Sequence, residues 1–338
     1  MNISSERIKK LKSFRHSLNS DCDFEIERIG GLFPRGYLSI VASPAGIGKT
    51  WFMLYLICNL SVGGEVLGGL KINSKPQRVL VMSGETGNKL LDKRVSQTCW
   101  KFNRQNISIY NALDFVVEGI DIMLNSTEGQ ENIFAIVSDF RPDVIFFDTL
   151  ISFHTLDEIK QGEMTKIYMF LSRVAHIFNC AVVCNHHTRK KSINRPDQEQ
   201  TQDDVIGTSA GVRLAHAVYM ISSEDLGEGK SKLIIKNAKS WDKKIAPFSM
   251  TFIEKEGYID FSIDLYIDEK WGVKQQVINV IENMDKSSVL KPSVLANTLH
   301  VSERRIRQLL DDFVDIDEKL SRHYLLGSLG YMLKDTEQ

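Results

Sequence analysis

A short run of small residues, Gly46 to Gly48, is followed by a lysine and a threonine directly after an apolar segment. Glycines permit a tight turn whose backbone N–H groups surround an anion, and the helix that follows adds its positive N-terminal end. In such a loop we expect Lys49 to contact the outer phosphates of a nucleoside triphosphate and the Thr50 hydroxyl to ligate Mg²⁺. Ser43 stands at the first position of the pattern, where glycine is usual. The residues predicted to bind nucleotide are Ser43, Pro44, Ala45, Gly46, Ile47, Gly48, Lys49, Thr50 and Trp51.

Two carboxylates that follow later apolar segments are candidates for the remaining chemistry. Asp148 ends the apolar run 144–147 and is expected to hold Mg²⁺ together with Thr50. Glu85 follows the run 79–83, and at this edge a carboxylate can orient and deprotonate an attacking water. The alternative for Glu85 is an acidic residue at a helix start, which the helix dipole favours.

Two consecutive histidines, His186 and His187, close a further apolar run at 181–185. A polar side chain at a strand end can hydrogen-bond a terminal phosphate, so we predict His186 as the residue that senses it. The alternative is a satisfied surface histidine. The next segment, 189–204, has almost no apolar residues and is predicted to be a loop. Its first residues are Arg189, Lys190 and Lys191, which we predict to bind DNA.

The segments that must position these side chains alternate between strands and helices. Strands are predicted at 37–42, 79–83, 144–147 and 181–185, and helices at 50–60 and 164–178. Continuous apolar strands alternating with helices indicate an α/β fold with a mostly parallel sheet whose ligands bind at the carboxyl ends of the strands. Further strands, in antiparallel hairpins that complete the sheet, are predicted at 217–221, 232–235, 248–252 and 258–261.

The two ends of the chain are predicted to lie outside this domain, which we place at 25–265. Residues 1–24 form an N-terminal arm in which Ile8, Leu11, Phe14 and Leu18 make an apolar stripe among basic residues. This arm is either a solvated helix or a segment that docks on a neighbouring subunit. Residues 268–338 are predicted to form a small separate domain.

The C-terminal segment has the pattern of a helix-turn-helix, with a possible wing at 319–326. One helix begins at Pro292 and a second runs over 303–313 after an N-cap at Ser302. Such a second helix can enter the major groove of DNA. Its outward basic residues, predicted to bind DNA, are Arg304, Arg305 and Arg307. Acidic residues just behind them favour the alternative, a winged helix that docks on protein.

Composition excludes several classes of protein. The 338 residues contain 42 Lys and Arg against 43 Asp and Glu, so the chain does not coat nucleic acid by bulk charge. The longest apolar stretch, 51–60, is half of what a membrane span needs, and the polar start lacks a secretory signal. Five scattered cysteines without a disulfide framework are typical of a reducing cytoplasm. Cys180 and Cys184 are interpreted as core residues rather than metal ligands.

Taken together, the motifs resemble those of RepA-type plasmid helicases, which are P-loop ATPases of the RecA/DnaB superfamily with an AAA-type core. The segments that carry this resemblance, over about 28–262, are 43–50, 81–85, 146–150 with Phe153 and His154, 185–187 and 206–210. The resemblance implies a homohexameric ring that binds ATP and Mg²⁺ between subunits and grips single-stranded DNA in its channel. It implies an ATP-dependent DNA helicase that replicates a plasmid, a phage or another mobile element.

The resemblance also implies roles for individual residues. Lys49 and Thr50 bind phosphate and Mg²⁺, Asp148 supports Mg²⁺, Glu85 is the general base and His186 is the sensor. An arginine finger is expected near His216, where this sequence offers Arg213 instead. If Arg213 does not serve, Lys236 or Lys239 are the alternatives.

Two rival functions stay open at this point. One is a DNA-binding ATPase that acts as a regulator or recombination mediator and uses ATP as an assembly switch. The other is a signalling ATPase that does not act on DNA.

Overall fold

The computed structural model describes most of the chain. The described residues are 26–64, 75–98, 103–158, 160–188, 201, 204–205, 209–227, 230–242, 245, 247–265, 273–283, 289–299, 301–315, 320–325 and 328–333. The predicted N-terminal arm, the basic residues 189–191 and residues 206–208 lie outside them.

Thirteen strands are formed by the described residues, most of them short and apolar. They are β1 (Arg28–Ile29), β2 (Phe33–Pro34), β3 (Leu38–Ser43), β4 (Val79–Ser83), β5 (Ile107–Asn111), β6 (Val144–Asp148), β7 (Ala181–His187), β8 (Ala217–Gly227), β9 (Lys230–Ser240), β10 (Phe248–Lys255), β11 (Tyr258–Leu265), β12 (Leu320–Leu325) and β13 (Ser328–Leu333).

The described residues also form nine α-helices and two short 3₁₀ helices. The α-helices are α1 (Lys49–Val62), α2 (Asn88–Thr98), α3 (Ala112–Glu118), α4 (Thr127–Phe140), α5 (Gln161–Phe178), α6 (Ser209–Leu214), α7 (Val273–Asn283), α8 (Pro292–Thr298) and α9 (Glu303–Asp315). The 3₁₀ helices are Arg104–Asn106 and Leu150–Phe153. No helix among the residues described here is long and apolar enough to cross a membrane.

Nine of the strands form one central sheet in the order β11-β10-β9-β8-β3-β7-β6-β4-β5. The six strands from β8 to β5 pair in parallel. Beyond β8, the strands β9, β10 and β11 extend the sheet in antiparallel fashion. The prediction of an α/β fold with a mostly parallel sheet is therefore confirmed.

Both faces of the sheet carry a hydrophobic core, because side chains alternate between the faces along each strand. Ile145 and Val182 pack on one face with residues of α4 and α5. Phe146 and Val183 pack on the other face with residues of α1. Strands covered on both faces are apolar along their whole length, which explains why the sequence shows continuous apolar runs.

The C-terminal residues pack around a hydrophobic cluster of their own. It includes Leu295 of α8, Ile306 and Leu310 of α9, and Leu320 and Tyr331 of the β12–β13 hairpin. The helix that starts at Pro292 and the one over 303–315 begin where the sequence predicted. The assignment of these elements to a separate helix-turn-helix domain at 268–338 stays a prediction.

The cysteines agree only in part with the sequence analysis. Cys180 and Cys184 are fully buried free thiols, as expected for core residues. Burial raises the pKa of Cys180 to about 12, which keeps its thiol protonated. The expectation of unpaired cysteines is wrong for Cys58 on α1, which is disulfide-bonded to a partner outside the described residues. Spacing alone could not reveal this pairing, because it depends on how two segments pack.

We predict that Phe146→Ala lowers the free energy of unfolding by about 3–5 kcal/mol, because it empties a fully buried site at the centre of the sheet. The matched control is Val117→Ala, a truncation of a side chain that is 82% exposed, which should change it by less than about 0.5 kcal/mol. Urea denaturation measures both. Equal losses for the two variants would contradict this description of the core.

Candidate nucleotide-binding site

The loop between β3 and α1 has the backbone that the glycine pattern requires. Gly46 has a φ of +81° and Gly48 a φ of +108°, values at which any residue with a Cβ is strained. In the part of the chain that the structure describes, the backbone N–H groups of Gly46, Ile47 and Gly48 have no acceptor. These N–H groups, together with the N-terminus of the 14-residue helix α1, fit an anion such as a phosphate.

Lys49 is the first residue of α1 and is only 6% exposed. Its Nζ donates to the Ser43 hydroxyl at 2.8 Å and to the carbonyls of Ser43 and Pro44 at 3.1 and 3.3 Å. Burial lowers the pKa of Lys49 to about 8, although the nearby carboxylates Asp148 and Glu85 oppose that shift. The loop thus holds a partly desolvated cation, which a phosphate would stabilise.

Asp148 ends β6 and lies beside Thr50 below the surface. It is 2% exposed, and burial raises the pKa of its carboxyl group. Its Oδ2 accepts from the Thr50 hydroxyl at 3.3 Å and its Oδ1 accepts from the Asn185 amide at 2.8 Å. A hydroxyl and a carboxylate in contact are the protein ligands that Mg²⁺ takes at such sites, where phosphates supply further oxygens.

Glu85 lies just past the end of β4, where the backbone turns tightly. A Cβ at Gly84 would come within 2.1 Å of the Ser152 side chain, so only glycine fits this turn. Oε1 of Glu85 accepts from the Thr149 hydroxyl at 2.7 Å and lies 3.0 Å from Nε2 of His187. Burial opposes ionisation, but these two hydrogen bonds outweigh it and hold the pKa of Glu85 below its usual value. Glu85 is therefore a carboxylate that remains reachable from solvent.

His187, rather than His186, faces the phosphate loop. Its Nδ1 lies 3.1 Å from Nζ of Lys49 and its Nε2 lies 3.0 Å from Glu85. Because an ammonium group only donates, Nδ1 must accept, and Nε2 then carries the hydrogen that is donated to Glu85. His187 thus bridges the lysine and the carboxylate.

The side chain of His186 points to the opposite face of the sheet and is buried at 3% exposure. It contacts Tyr168 and Glu158 instead of the loop. Burial lowers the pKa of His186 to about 4, so this ring is neutral. The prediction of His186 as the phosphate sensor is therefore corrected, since consecutive residues of a strand point to opposite faces.

The candidates for a residue that reaches a neighbouring subunit differ in their surroundings. Arg213 is exposed near the end of α6. His216 is buried between the rings of Tyr37 and Trp241, so it cannot reach out. Nζ of Lys239 donates to carbonyls at the end of α6, including that of Arg213 at 3.0 Å, and so caps that helix.

The other predicted binding residues are exposed or half-buried. Trp51, directly after the loop, is half-buried under the Arg94 guanidinium, which lies 5.6 Å from its ring centroid. Lys236 is half-buried on β9. The basic residues of α9 are all exposed, but Arg307 is paired with Glu303 at 2.7 Å. These placements alone do not assign a ligand to any of them.

Sequence reasoning missed the partners that hold the two carboxylates. The Asn185 amide on Asp148 and the Thr149 hydroxyl on Glu85 come from residues that directly precede or follow a predicted site residue. A polar residue at the end of an apolar strand was the available signal for both. Nothing in the local pattern indicated that Gly84 is required by Ser152, which belongs to a distant part of the chain.

Comparison with known proteins defines the class of the molecule. Residues 18–192, just over half of the chain, match the family model AAA_25, which describes an AAA domain. The chain belongs to this AAA domain family, and it carries an AAA-type ATPase domain. No match was found among curated proteins.

Two solved structures share the fold at low sequence identity. One is titled "The Structure Of A DnaB-Like Replicative Helicase And Its Interactions With Primase", with a TM-score of 0.51 and 15% identity over 77% of this chain and 67% of that chain. The other is the isolated ATPase domain of a second helicase, with a TM-score of 0.51 and 15% identity over 75% of this chain and 94% of that chain. The resemblance to RecA-like replicative helicases is thus confirmed in family and fold.

We predict that Lys49→Ala abolishes ATP hydrolysis and leaves the fold intact, because it removes the cation of the loop but no core side chain. Steady-state phosphate release and circular dichroism test this. Lys166→Ala, which removes an exposed lysine of α5, is the matched control and should hydrolyse ATP normally. Normal turnover by Lys49→Ala would remove the assignment of the phosphate loop.

Proposed function

We propose that this protein is an ATP-dependent DNA helicase in which the site at the carboxyl edge of the sheet hydrolyses ATP. The observation that carries the proposal is the cluster of Lys49, Thr50, Asp148, Glu85 and His187 at one edge of the sheet, linked by direct contacts. The fold shared with a DnaB-like replicative helicase supports an action on DNA.

The residues of the loop fit the phosphates of ATP. The backbone N–H groups of residues 46–48 would hold them, and Nζ of Lys49 would exchange the loop oxygens for phosphate oxygens. Thr50 and Asp148 would hold Mg²⁺, which neutralises phosphate charge when it is bound. Asn185 keeps the Asp148 carboxylate in place through its amide.

Glu85 is the general base in this proposal. Its lowered pKa keeps it ionised, so it can accept a proton from water at neutral pH. Thr149 fixes one of its oxygens, which leaves the other free to orient the water. His187 lies between Glu85 and Lys49, where its ring can respond to a terminal phosphate and report it to the chain that follows β7.

Ring formation is the second part of the proposal. Arg213 is exposed on α6, so it is available to a site on a neighbouring subunit, whereas His216 and Lys239 are held within their own subunit. We propose that six subunits bind ATP at shared interfaces and that residues 189–191 contact single-stranded DNA in the channel. Replication of a plasmid, phage or other mobile element is the context that the sequence resemblance favours.

The C-terminal residues 268–338 are proposed to form a winged-helix module, with 25–265 as the ATPase domain and 1–24 as an arm. The side chains of Arg304 and Arg305 are exposed on α9 and have no partner among the described residues, so they are available to DNA phosphates. This arrangement also suits a DNA-binding ATPase that regulates or mediates recombination without unwinding. A strand-displacement assay on a forked duplex separates the two functions, since only the helicase unwinds it with ATP.

We predict that Glu85→Gln lowers the rate of ATP hydrolysis by about 10²–10⁴-fold while ATP still binds, because the amide keeps the shape but cannot accept the proton. If ATP is held at subunit interfaces, this variant with ATP and Mg²⁺ should also sediment as a larger particle than Lys49→Ala. Normal hydrolysis would assign the base elsewhere. An inactive Glu85→Gln protein that binds ATP but stays monomeric would keep the chemistry and remove the ring.

We also predict that Arg304→Ala combined with Arg305→Ala weakens duplex binding and reduces its salt dependence by about two counterions, because each arginine neutralises one phosphate. Arg307→Ala is the matched control and should have less effect, since Glu303 already pairs with that guanidinium. Fluorescence anisotropy over a salt series measures both. Unchanged affinity and slope in the double variant would identify the module as a protein-docking device.

A further inference from the structure

Directly behind His187 lies a buried group of polar side chains that the proposed reaction does not use. We call it the His186 cluster; it consists of His154, Glu158, Tyr168 and His186. His154 and Glu158 belong to the segment between β6 and α5, Tyr168 lies on α5, and His186 lies on β7. Three separate elements therefore meet at one strand end.

His186 is the centre of this cluster. Its Nε2 lies 3.2 Å from the Tyr168 hydroxyl and 3.3 Å from Oε1 of Glu158. Its Nδ1 lies 3.3 Å from the backbone carbonyl of His187. Because that carbonyl only accepts, Nδ1 carries the hydrogen, and Nε2 is the acceptor for Tyr168 and for a protonated Glu158.

The surroundings keep this arrangement in one form. Burial, and then the neighbouring Asp157, raise the pKa of Glu158, which favours the protonated carboxyl group that can donate. Neither ring nitrogen of His154 has a hydrogen-bond partner of good geometry in the described part of the chain. Buried polar groups without partners are costly and are kept mainly at functional sites.

Tyr168 is also fixed from its other side. A Cβ on Gly211 of α6 would approach its ring to 2.5 Å, so α6 packs directly against the tyrosine. The hydroxyl is therefore held at a fixed height above β7. A ring clamped in this way limits the rotation of the strand end to which His186 belongs.

We propose that Tyr168 and Glu158 are positioning residues for ATP hydrolysis: they fix the His186 ring and, through the shared backbone of β7, direct the next side chain, His187, towards Lys49 and Glu85. His186 and His187 are consecutive, so a twist of the strand that freed one ring would turn the other. This inference rests on the proposed function, because it gives His187 a part in the reaction.

The first test is Tyr168→Phe, which removes the hydroxyl and keeps the ring that α6 packs on. The kcat for ATP hydrolysis should fall about three- to tenfold, the factor that one net hydrogen bond is worth, while the KM for ATP stays within about twofold. Tyr219→Phe is the matched control, since it also removes a buried hydroxyl hydrogen bond, made to the Leu32 carbonyl at 2.6 Å, in the same sheet. A kcat for Tyr168→Phe that equals that of Tyr219→Phe would overturn the inference.

A double-variant cycle asks whether Tyr168 acts through His187. With His187→Ala already present, Tyr168→Phe should lower kcat no further, whereas independent roles give multiplied losses. Multiplied losses, or a His187→Ala protein with unchanged kcat, would overturn the inference. A wild-type protein without ATPase activity that depends on Lys49 would instead overturn the proposed function.

Glu158 supplies a second pair of variants that does not depend on Tyr168. Glu158→Gln keeps an N–H donor for Nε2 of His186 and should retain kcat within about twofold. Glu158→Ala removes the donor and should lower kcat by about three- to tenfold. Wild-type kcat in Glu158→Ala would contradict a positioning role for this side chain.

Discussion

The parallel pairing of four strands, β4, β6, β7 and β3, is the constraint on which the rest of the site depends. Their registers place Ser83 beside Asp148, and Ser43 beside His187, so the chain leaves all four strands at one edge. Side chains that lie between 43 and 187 in sequence therefore meet within hydrogen-bonding distance. No single loop could bring them together, because each comes from a different crossover connection.

The electrostatics of the site follow from the depth of this edge. Lys49 and Asp148 are both almost fully buried, which shifts the pKa of each towards its neutral form. Each is held by hydrogen bonds with its neighbours, Ser43 for the lysine and Asn185 for the aspartate. A polyanion with a divalent cation would bring charges of both signs to this pair, and this is the physical reason for assigning ATP and Mg²⁺ to the loop.

The sequence predicted the fold well where burial is continuous. The strands at 79–83, 144–148 and 181–187 carry apolar residues on both faces, so length and composition located them within about one or two residues. The strand β5 was not predicted, because it lies at the sheet edge and its partly exposed residues have no apolar run. Within the site, residue type was predictable but side-chain direction was not. An apolar strand ending in two histidines indicates a polar edge, yet only the register of β7 decides which ring faces Lys49.

The most direct test of this account is a crystal structure of the protein with a non-hydrolysable ATP analogue and Mg²⁺. The account predicts phosphates on the N–H groups of residues 46–48, with Nζ of Lys49 moved from the Ser43 and Pro44 oxygens to phosphate. It predicts the His187 ring beside the terminal phosphate, while His186 keeps its contact with Tyr168. An analogue bound elsewhere, or a terminal phosphate beside His186 with His187 turned away, would contradict it.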